Sequence, residues 1–498
     1  MIHQICLLLV ILIGVIHTID TTCPTSPYTN NGVFPPGATE MATFPSNYHC
    51  KISFTSEIGY AVKFTINSYF GDKNTNIHIF DSTGLLFNIL SGYNKILYIP
   101  SPGGYVQLDV GSETDAQFLI RLEYVDLSTF TQVPLRSGSP LKLSLNPGSY
   151  YTWSNSNNGM VVHSDEKDEG VRSMKLIYVF DGDNLSSTYL GSLYKFADQT
   201  PMRKTTKSLT IVDFHNTPSN SWIIANDYNA IVQYSSYSII VLTPGTPFIT
   251  GVIDYDGTYA QTVISEGKEL YLSRVGFGDR QNGEQKVAFY PMSPSYGMDK
   301  LVEISDNNNL NELLPLQFPT FLITYVATHS NLRLTFENND AARQSWLTVA
   351  PGRFVILASP TYWNPNTAVD LDYTFKSTNS LQYSYTITKL NITNTNQNLH
   401  ISIGSGADQV DSDKTYQCDN NQQSCVLSNI GPYTGNGTFL RAVSNSMTFM
   451  SFQVSGNGAD NGNTGTTGTT QKYETSTKSC GRIGCLIAVF TCLSTILS

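Results

Sequence analysis

Charge is scarce in this chain: Asp, Glu, Lys and Arg are 14% of 498 residues, against roughly 25% in an average soluble protein. Basic runs are absent, and 39 Asp+Glu outnumber 29 Lys+Arg to give a net charge of -10. Nucleic acid is therefore excluded as a partner, because phosphate neutralisation needs clustered Lys and Arg. Long 3.6-residue periodicity with caps is missing too, apart from one short candidate helix at Asn307–Leu314 that starts at Ser305 or Asp306. The chain has no Gly-x-Ser-x-Gly, Gly-x-x-x-x-Gly-Lys, His-Glu-x-x-His or Cys-x-x-Cys, so the common nucleophile, phosphate and metal motifs do not occur. His49, His78, His163, His215, His329 and His400 are far apart in sequence. No catalytic residue, metal ligand or cofactor is expected; a glycosidase stays open, since paired carboxylates need not be close in sequence.

Cysteine is used sparingly. Of eight, Cys6 lies in the N-terminal apolar run and Cys480, Cys485 and Cys492 lie in the C-terminal one. The four that remain, Cys23, Cys50, Cys418 and Cys425, suggest two disulfides in an oxidising compartment. Neighbourhood favours Cys23–Cys50 and Cys418–Cys425, the first closing a loop worth roughly 3 kcal/mol of chain entropy; unpaired buried thiols are the alternative. Sequons at Asn184, Asn391 and Asn436 fit the same compartment.

The two ends carry addresses. Ile5–Ile16 is apolar but too short to span a bilayer, and polar His17, Thr18 and Asp20 follow. Residues 1–18 read as a secretory signal peptide. Residues 455–479 are rich in Gly, Thr, Ser and Asn and read as a flexible stalk. Small Ser479-Cys480-Gly481, then Arg482, then an apolar tail to Ser498 make residues 480–498 the removable signal of a glycosylphosphatidylinositol (GPI) anchor, with attachment at Ser479. Ser476 as attachment point and a tail-end membrane helix are the alternatives. The partner at this end is the membrane, through a lipid.

Between the ends, the sequence reads as strands. Ala61–Ile66, Tyr105–Val110, Phe118–Val125, Met174–Phe180 and Tyr383–Ile387 alternate or run apolar at strand length, bounded by turn residues. Breaks near Val125–Arg136, Thr243–Pro247 and Asn338–Arg343 divide the body into 23–126, 130–243, 245–338 and 343–454, each with a Pro-Gly near its start. The expectation is all-β: tandem antiparallel β-sandwich units, four in number unless neighbours fuse. Trp153, Trp222, Trp346 and Trp363 are either sandwich core or exposed platforms for sugars and proteins. Asp165–Glu169 reads as a solvated charge run, Asp181–Asn184 as a broken cation loop, and Gly404-Ser405-Gly406 as a turn.

Within Cys23–Val125 stand Pro35-Pro36-Gly37, Phe44-Pro45-Ser46-Asn47-Tyr48-His49-Cys50-Lys51-Ile52, Asn76-Ile77-His78-Ile79-Phe80-Asp81-Ser82-Thr83-Gly84 and a closing strand ending in Leu122-Glu123-Tyr124. This segment resembles a CUB domain, and more closely the CUB-like domain of nematode secreted proteins. The resemblance implies a CUB-like jelly-roll sandwich and a part in innate immune or stress defence at an epithelial surface. It also implies a place on the extracellular face of the plasma membrane, including rafts, or in secretion. Binding of a microbial or host surface glycan or protein is the expected activity; a structural surface coat and, third, a secreted hydrolase are the rivals. Two departures stand out. No Cys between Cys50 and Cys418 supplies a second CUB disulfide, and the acidic set of calcium-binding members is thin here, with only Asp72 and Asp81 as candidates and Glu57 in a turn.

Overall fold

The computed structural model describes residues 19–456 apart from 72, 113–114, 155–157, 166–172, 200, 267–268, 280–283, 298, 319, 360–369, 407–408 and 419–421. The signal peptide, Ser479, the removable tail, Trp363, Asp72 and all of the 165–169 charge run but Asp165 therefore lie outside the described residues, as does nearly all of the stalk. The described residues form one compact unit, built mostly of strands arranged in six sheets.

The first sandwich begins from its aromatic spacing. Phe34, Phe44, Phe54, Phe64 and Phe118 are all essentially inaccessible to solvent. One sheet joins Gly32–Phe34, Gln117–Asp126, Tyr60–Tyr69 and Gly92–Pro100 in that order; the facing sheet joins His49–Thr55, Gly103–Asp109, Asn76–Asp81 and Leu86–Ile89. The Phe44–Tyr48 block has a physical reading. Phe44 packs on Phe118 with ring centroids 5.0 Å apart. Asn47 takes a left-handed φ of 55°, which asparagine tolerates, and its N–H donates to the Gly111 carbonyl at 2.7 Å. The chain thus turns into His49–Thr55, where the Cys23–Cys50 disulfide (Cα–Cα 5.5 Å) staples the N-terminal segment down. Cys418–Cys425 forms as well, with a Cα–Cα distance of 5.7 Å.

The second group pairs a five-stranded sheet (Thr131–Arg136, Ser149–Ser154, Leu209–Asp213, Ile177–Asp181, Thr188–Ser192) with a three-stranded one (Pro140–Lys142, Trp222–Asp227, Met160–Ser164). Trp153 is sealed between them and donates its indole N–H to the Ser139 carbonyl at 3.0 Å. The third group is one seven-stranded sheet around the long strands Phe248–Ser265 and Leu322–Glu337, and the fourth one six-stranded sheet around Leu371–Ile392 and Cys425–Ser444. Trp346 is buried at the start of the fourth core. Two of the four tryptophans are thus core residues, while Trp222 is half-buried.

Several expectations need correction. The pairing is not wholly antiparallel: Thr131–Arg136 runs parallel to Ser149–Ser154, and Ser236–Leu242 parallel to Phe248–Ser265. The second pair also moves a seam. Ser236–Leu242 precedes the Pro244-Gly245 turn but belongs to the seven-stranded sheet, because its apolar face packs on Ala260 and Ile264. The helix sought at Asn307–Leu314 is a single turn, Leu310–Leu313. A longer helix, Asp340–Leu347, occupies the break at Asn338–Arg343: the Asn339 side chain caps it by accepting the Ala342 N–H at 2.8 Å, and Ala342 and Trp346, four apart, share its buried face. The strand expected from Met174 begins at Ile177. The four Pro-Gly turns near the segment starts hold their glycine at positive φ, 75° at Gly37, 66° at Gly148, 85° at Gly245 and 87° at Gly352. Each of these positions therefore needs glycine for the turn itself.

Apolar seams continue from group to group. Ala61 and Leu127 of the first pack with Tyr178, Phe180, Tyr189 and Phe214 of the second. Val161 and Ile224 of the second pack with Tyr237, Ile239 and Leu322 of the third. Between third and fourth, Gln317 donates to the Tyr373 hydroxyl at 2.8 Å and Tyr373 donates to Glu269 at 2.9 Å. Two histidines sit in these seams. His163 lies edge-on to Tyr237 with ring centroids 4.7 Å apart, and burial holds its imidazole down at about 4. His215, against Tyr98 and Tyr178, is likewise held at about 4 by burial.

Two predictions follow from the staple and the seams. Replacing Cys23 and Cys50 together by alanine lowers unfolding stability by roughly 3 kcal/mol, measured by denaturant titration; an unchanged midpoint would show that the N-terminal segment is held by packing alone. For His163, the unfolded imidazole titrates near 6.5 and the folded one at about 4. Its contribution is complete above about pH 6.5 and is lost progressively as pH falls towards 4, because the unfolded chain takes up the proton first. Thermal melts between pH 7 and 4 should show a shallower acid loss in His163→Gln than in the wild type.

Candidate functional site

A surface depression lies where the first two groups meet. It is a cleft of about 290 Å³ lined by Gly84, Leu85, Leu86 and Phe87 on one side and Lys175, Tyr194 and Lys195 on the other. The first wall is the hairpin between Asn76–Asp81 and Leu86–Ile89, and Asp81 makes it. One Asp81 oxygen accepts the Thr83 N–H at 2.9 Å, the Thr83 hydroxyl at 2.8 Å and the Leu85 N–H at 2.8 Å. This is the local side-chain-to-backbone bonding by which aspartate favours turns.

The second Asp81 oxygen leaves the hairpin and accepts the Tyr189 hydroxyl at 2.7 Å, across 108 residues of sequence. Asp81 is only 4% exposed. Burial, with the Asp81 charge beside it, pushes the Tyr189 phenol well above its usual range, so it stays a donor. Beside this bond Tyr178 donates to the Tyr98 carbonyl at 2.6 Å. Gly191 lets the second wall approach: a Cβ there would come 3.3 Å from the Thr83 hydroxyl, and its φ of 114° disfavours any side chain. The second wall itself is the turn Leu193–Phe196, whose Leu193 and Phe196 are buried while Tyr194 faces outward, 38% exposed. The Lys175 ammonium lies 4.9 Å from the Tyr194 ring centroid, a cation–π contact. The cleft thus presents two ammonium groups, an aromatic ring and an aliphatic wall, held at fixed separation by Asp81.

The Asp81 carboxylate, one of the two acidic candidates in the sequence, is taken up by the hairpin and by Tyr189. The other candidate, Asp72, lies outside the described residues, and Glu57 is exposed. Among the described residues no group of three or more His, Cys, Asp or Glu side chains is placed to hold a metal ion. Asp181, in the broken cation loop, accepts the Thr206 N–H at 2.7 Å and its hydroxyl at 3.0 Å. The histidines stay scattered. His49 pairs with Asp109 at 2.8 Å and His400 with Asp413, both between directly paired or adjacent strands and solvent-facing. Gly404-Ser405-Gly406 ends the strand Leu399–Gly406. Of the sequons, Asn184 and Asn436 are exposed, whereas Asn391 is half-buried in a strand paired on both sides.

The residues that form the cleft were not singled out as a site in the sequence. Lys175 falls in the expected strand Met174–Phe180, and nothing local ties position 81 to position 189. The only legible signal is the Asp81-Ser82-Thr83-Gly84 turn.

Comparison with known proteins bears on the first sandwich. Residues 17–128 match the family model for the CUB-like domain, so this part of the chain is similar to that domain. No curated protein matches the chain. Among solved structures, the chain is similar to the CUB1-EGF-CUB2 domains of rat MASP-1, at 9% identity over 63% of this chain and 99% of that one, TM-score 0.18. The corresponding human MASP-1/3 domains give 9%, 62% and 98%, TM-score 0.16. The full extracellular region of zebrafish Gpr126/Adgrg6 gives 9%, 64% and 53%, TM-score 0.18.

A double-mutant cycle tests the Asp81 lock. Asp81→Asn should cost roughly 2–4 kcal/mol, since it leaves buried donors short of an acceptor, and Tyr189→Phe roughly 1–2 kcal/mol. The two effects should be less than additive when combined. Strict additivity would mean that the hairpin and the second group are held independently.

Proposed function

We propose that the protein is a GPI-anchored extracellular β-domain glycoprotein that acts by binding at the epithelial cell surface, in innate immune or stress defence against microbes. The observation that carries the binding reading is the junction cleft: an amphipathic, cationic depression whose two walls are locked by one buried carboxylate. CUB-like domains are extracellular-type binding modules, which supports the same reading. Rigid seams between the groups suit a protein that presents a surface at a distance from the membrane. The Gly/Thr/Ser-rich stalk at 455–479 and the tail at 480–498 support attachment at Ser479 and a place in the outer leaflet, including rafts. No helix among the described residues is long and apolar enough to cross a membrane. Glycans at the exposed Asn184 and Asn436 would stand on the second group and on the last sheet.

Phosphatidylinositol-specific phospholipase C applied to intact cells should release the protein into the supernatant. Retention in the membrane pellet would replace the lipid anchor by a kept membrane tail. Transcript level after bacterial challenge tests the defence part, and a flat response removes it while leaving the binding role in place. Peptide mapping after deglycosylation should show occupied Asn184 and Asn436.

A further inference from the structure

We infer that the cleft between the CUB-like domain and the second β group is a binding site for an acidic saccharide, a sugar carrying carboxylate or sulfate groups. The inference rests on the binding role proposed above and names its site and ligand class. Charge comes first. The chain carries a net charge of -10, yet the described residues lining this cleft include two lysines and no carboxylate. Asp81 lies behind the wall with both oxygens engaged. An ammonium offers three donors and forms charge-assisted hydrogen bonds to carboxylate or sulfate oxygens. Lys175 is solvent-exposed and only parked over the Tyr194 ring, so an anion can draw it away at the cost of one exposed cation–π contact, worth about 0.5–1 kcal/mol.

Shape comes second. Tyr194 is 38% and Leu86 47% exposed. Together they offer a flat ring and an aliphatic face for the C–H surface of a pyranose, the usual pairing of an amphipathic aromatic with a half-polar ligand. The volume of about 290 Å³ is at the small end of ligand sites, about 300–1,000 Å³, and suits a short saccharide. An acidic peptide is the rival. The strand edge that it would extend, Leu86–Ile89, is only four residues long, which gives little template for strand addition. Preorganisation comes third: the Asp81–Tyr189 bond and the Gly191 approach fix the two walls before any ligand arrives, which removes part of the ordering cost of binding.

The test is titration calorimetry on the full chain, with a heparin-derived tetrasaccharide as probe, a neutral chitin tetrasaccharide as control and an oligoglutamate as competitor. The expected result is binding of the sulfated probe that weakens with added salt. Affinity should fall at least about tenfold in Lys175→Ala/Lys195→Ala and largely return in Lys175→Arg/Lys195→Arg. Tyr194→Ala should weaken the sugar but not the salt dependence. Equal affinity in the double alanine variant, equal binding of the neutral sugar, or full displacement by oligoglutamate overturns the inference. A glycan and protein array run on wild type and double variant separates the two levels. Ligands bound equally by both keep the binding role and remove this site; an array on which neither binds anything removes both.

Discussion

The Asp81 carboxylate is the constraint on which the CUB-like domain's contact with its neighbour turns. It is buried, it carries no lysine or arginine partner among the described bonds, and it is satisfied entirely by neutral donors: two backbone N–H groups and two hydroxyls. A charge in such surroundings is tolerable only when its lone pairs are filled. Three donors come from its own hairpin and one from Tyr189, so the hairpin cannot relax and the second group cannot rotate without leaving buried polar atoms unpaired. A turn residue has in this way become the bond that spaces the cleft walls.

The same logic runs down the molecule with different chemistry. The first seam is aromatic, with the rings of Tyr98, Phe130 and Tyr178 all against Phe214. In the second, hydroxyls of Ser139 and Tyr296 meet at 3.0 Å and the Arg136 guanidinium lies 4.3 Å from the Tyr296 ring. In the third, the buried Arg353, its guanidinium lowered to about 10 by burial, donates to the Glu312 carbonyl at 2.9 Å and to the Pro315 carbonyl. Each seam combines apolar area with a few satisfied polar groups, which is why the described residues make one compact unit. Histidines held neutral in two of them make acid the condition that strains the stack.

Period-two alternation and turn chemistry made the strand content and the first sandwich readable. Phe118–Val125 lies within the strand Gln117–Asp126, and Tyr383–Ile387 within Leu371–Ile392. Pairing direction was not readable, because parallel and antiparallel partners can carry the same alternation when both faces are covered. Nor was the helix Asp340–Leu347, whose Asn339-Asp340-Ala341-Ala342 start looks like a linker until Trp346 finds its pocket beside Tyr373 and Phe375.

What the sequence determined by itself is local: an all-β chain, a CUB-like block written in its phenylalanines and Asn47, two short-range disulfides, and turns that require glycine. These follow from steric and periodic rules that act within a few residues, or across the 27 positions from Cys23 to Cys50. The tertiary structure alone decided that Asp81 belongs to Tyr189 rather than to a cation, and that Lys175, Tyr194 and Lys195 face Leu86 across a cleft. Those pairings join positions about a hundred residues apart. Nothing in the chain between them encodes the distance; it is set by how two sheets bury their apolar faces against each other.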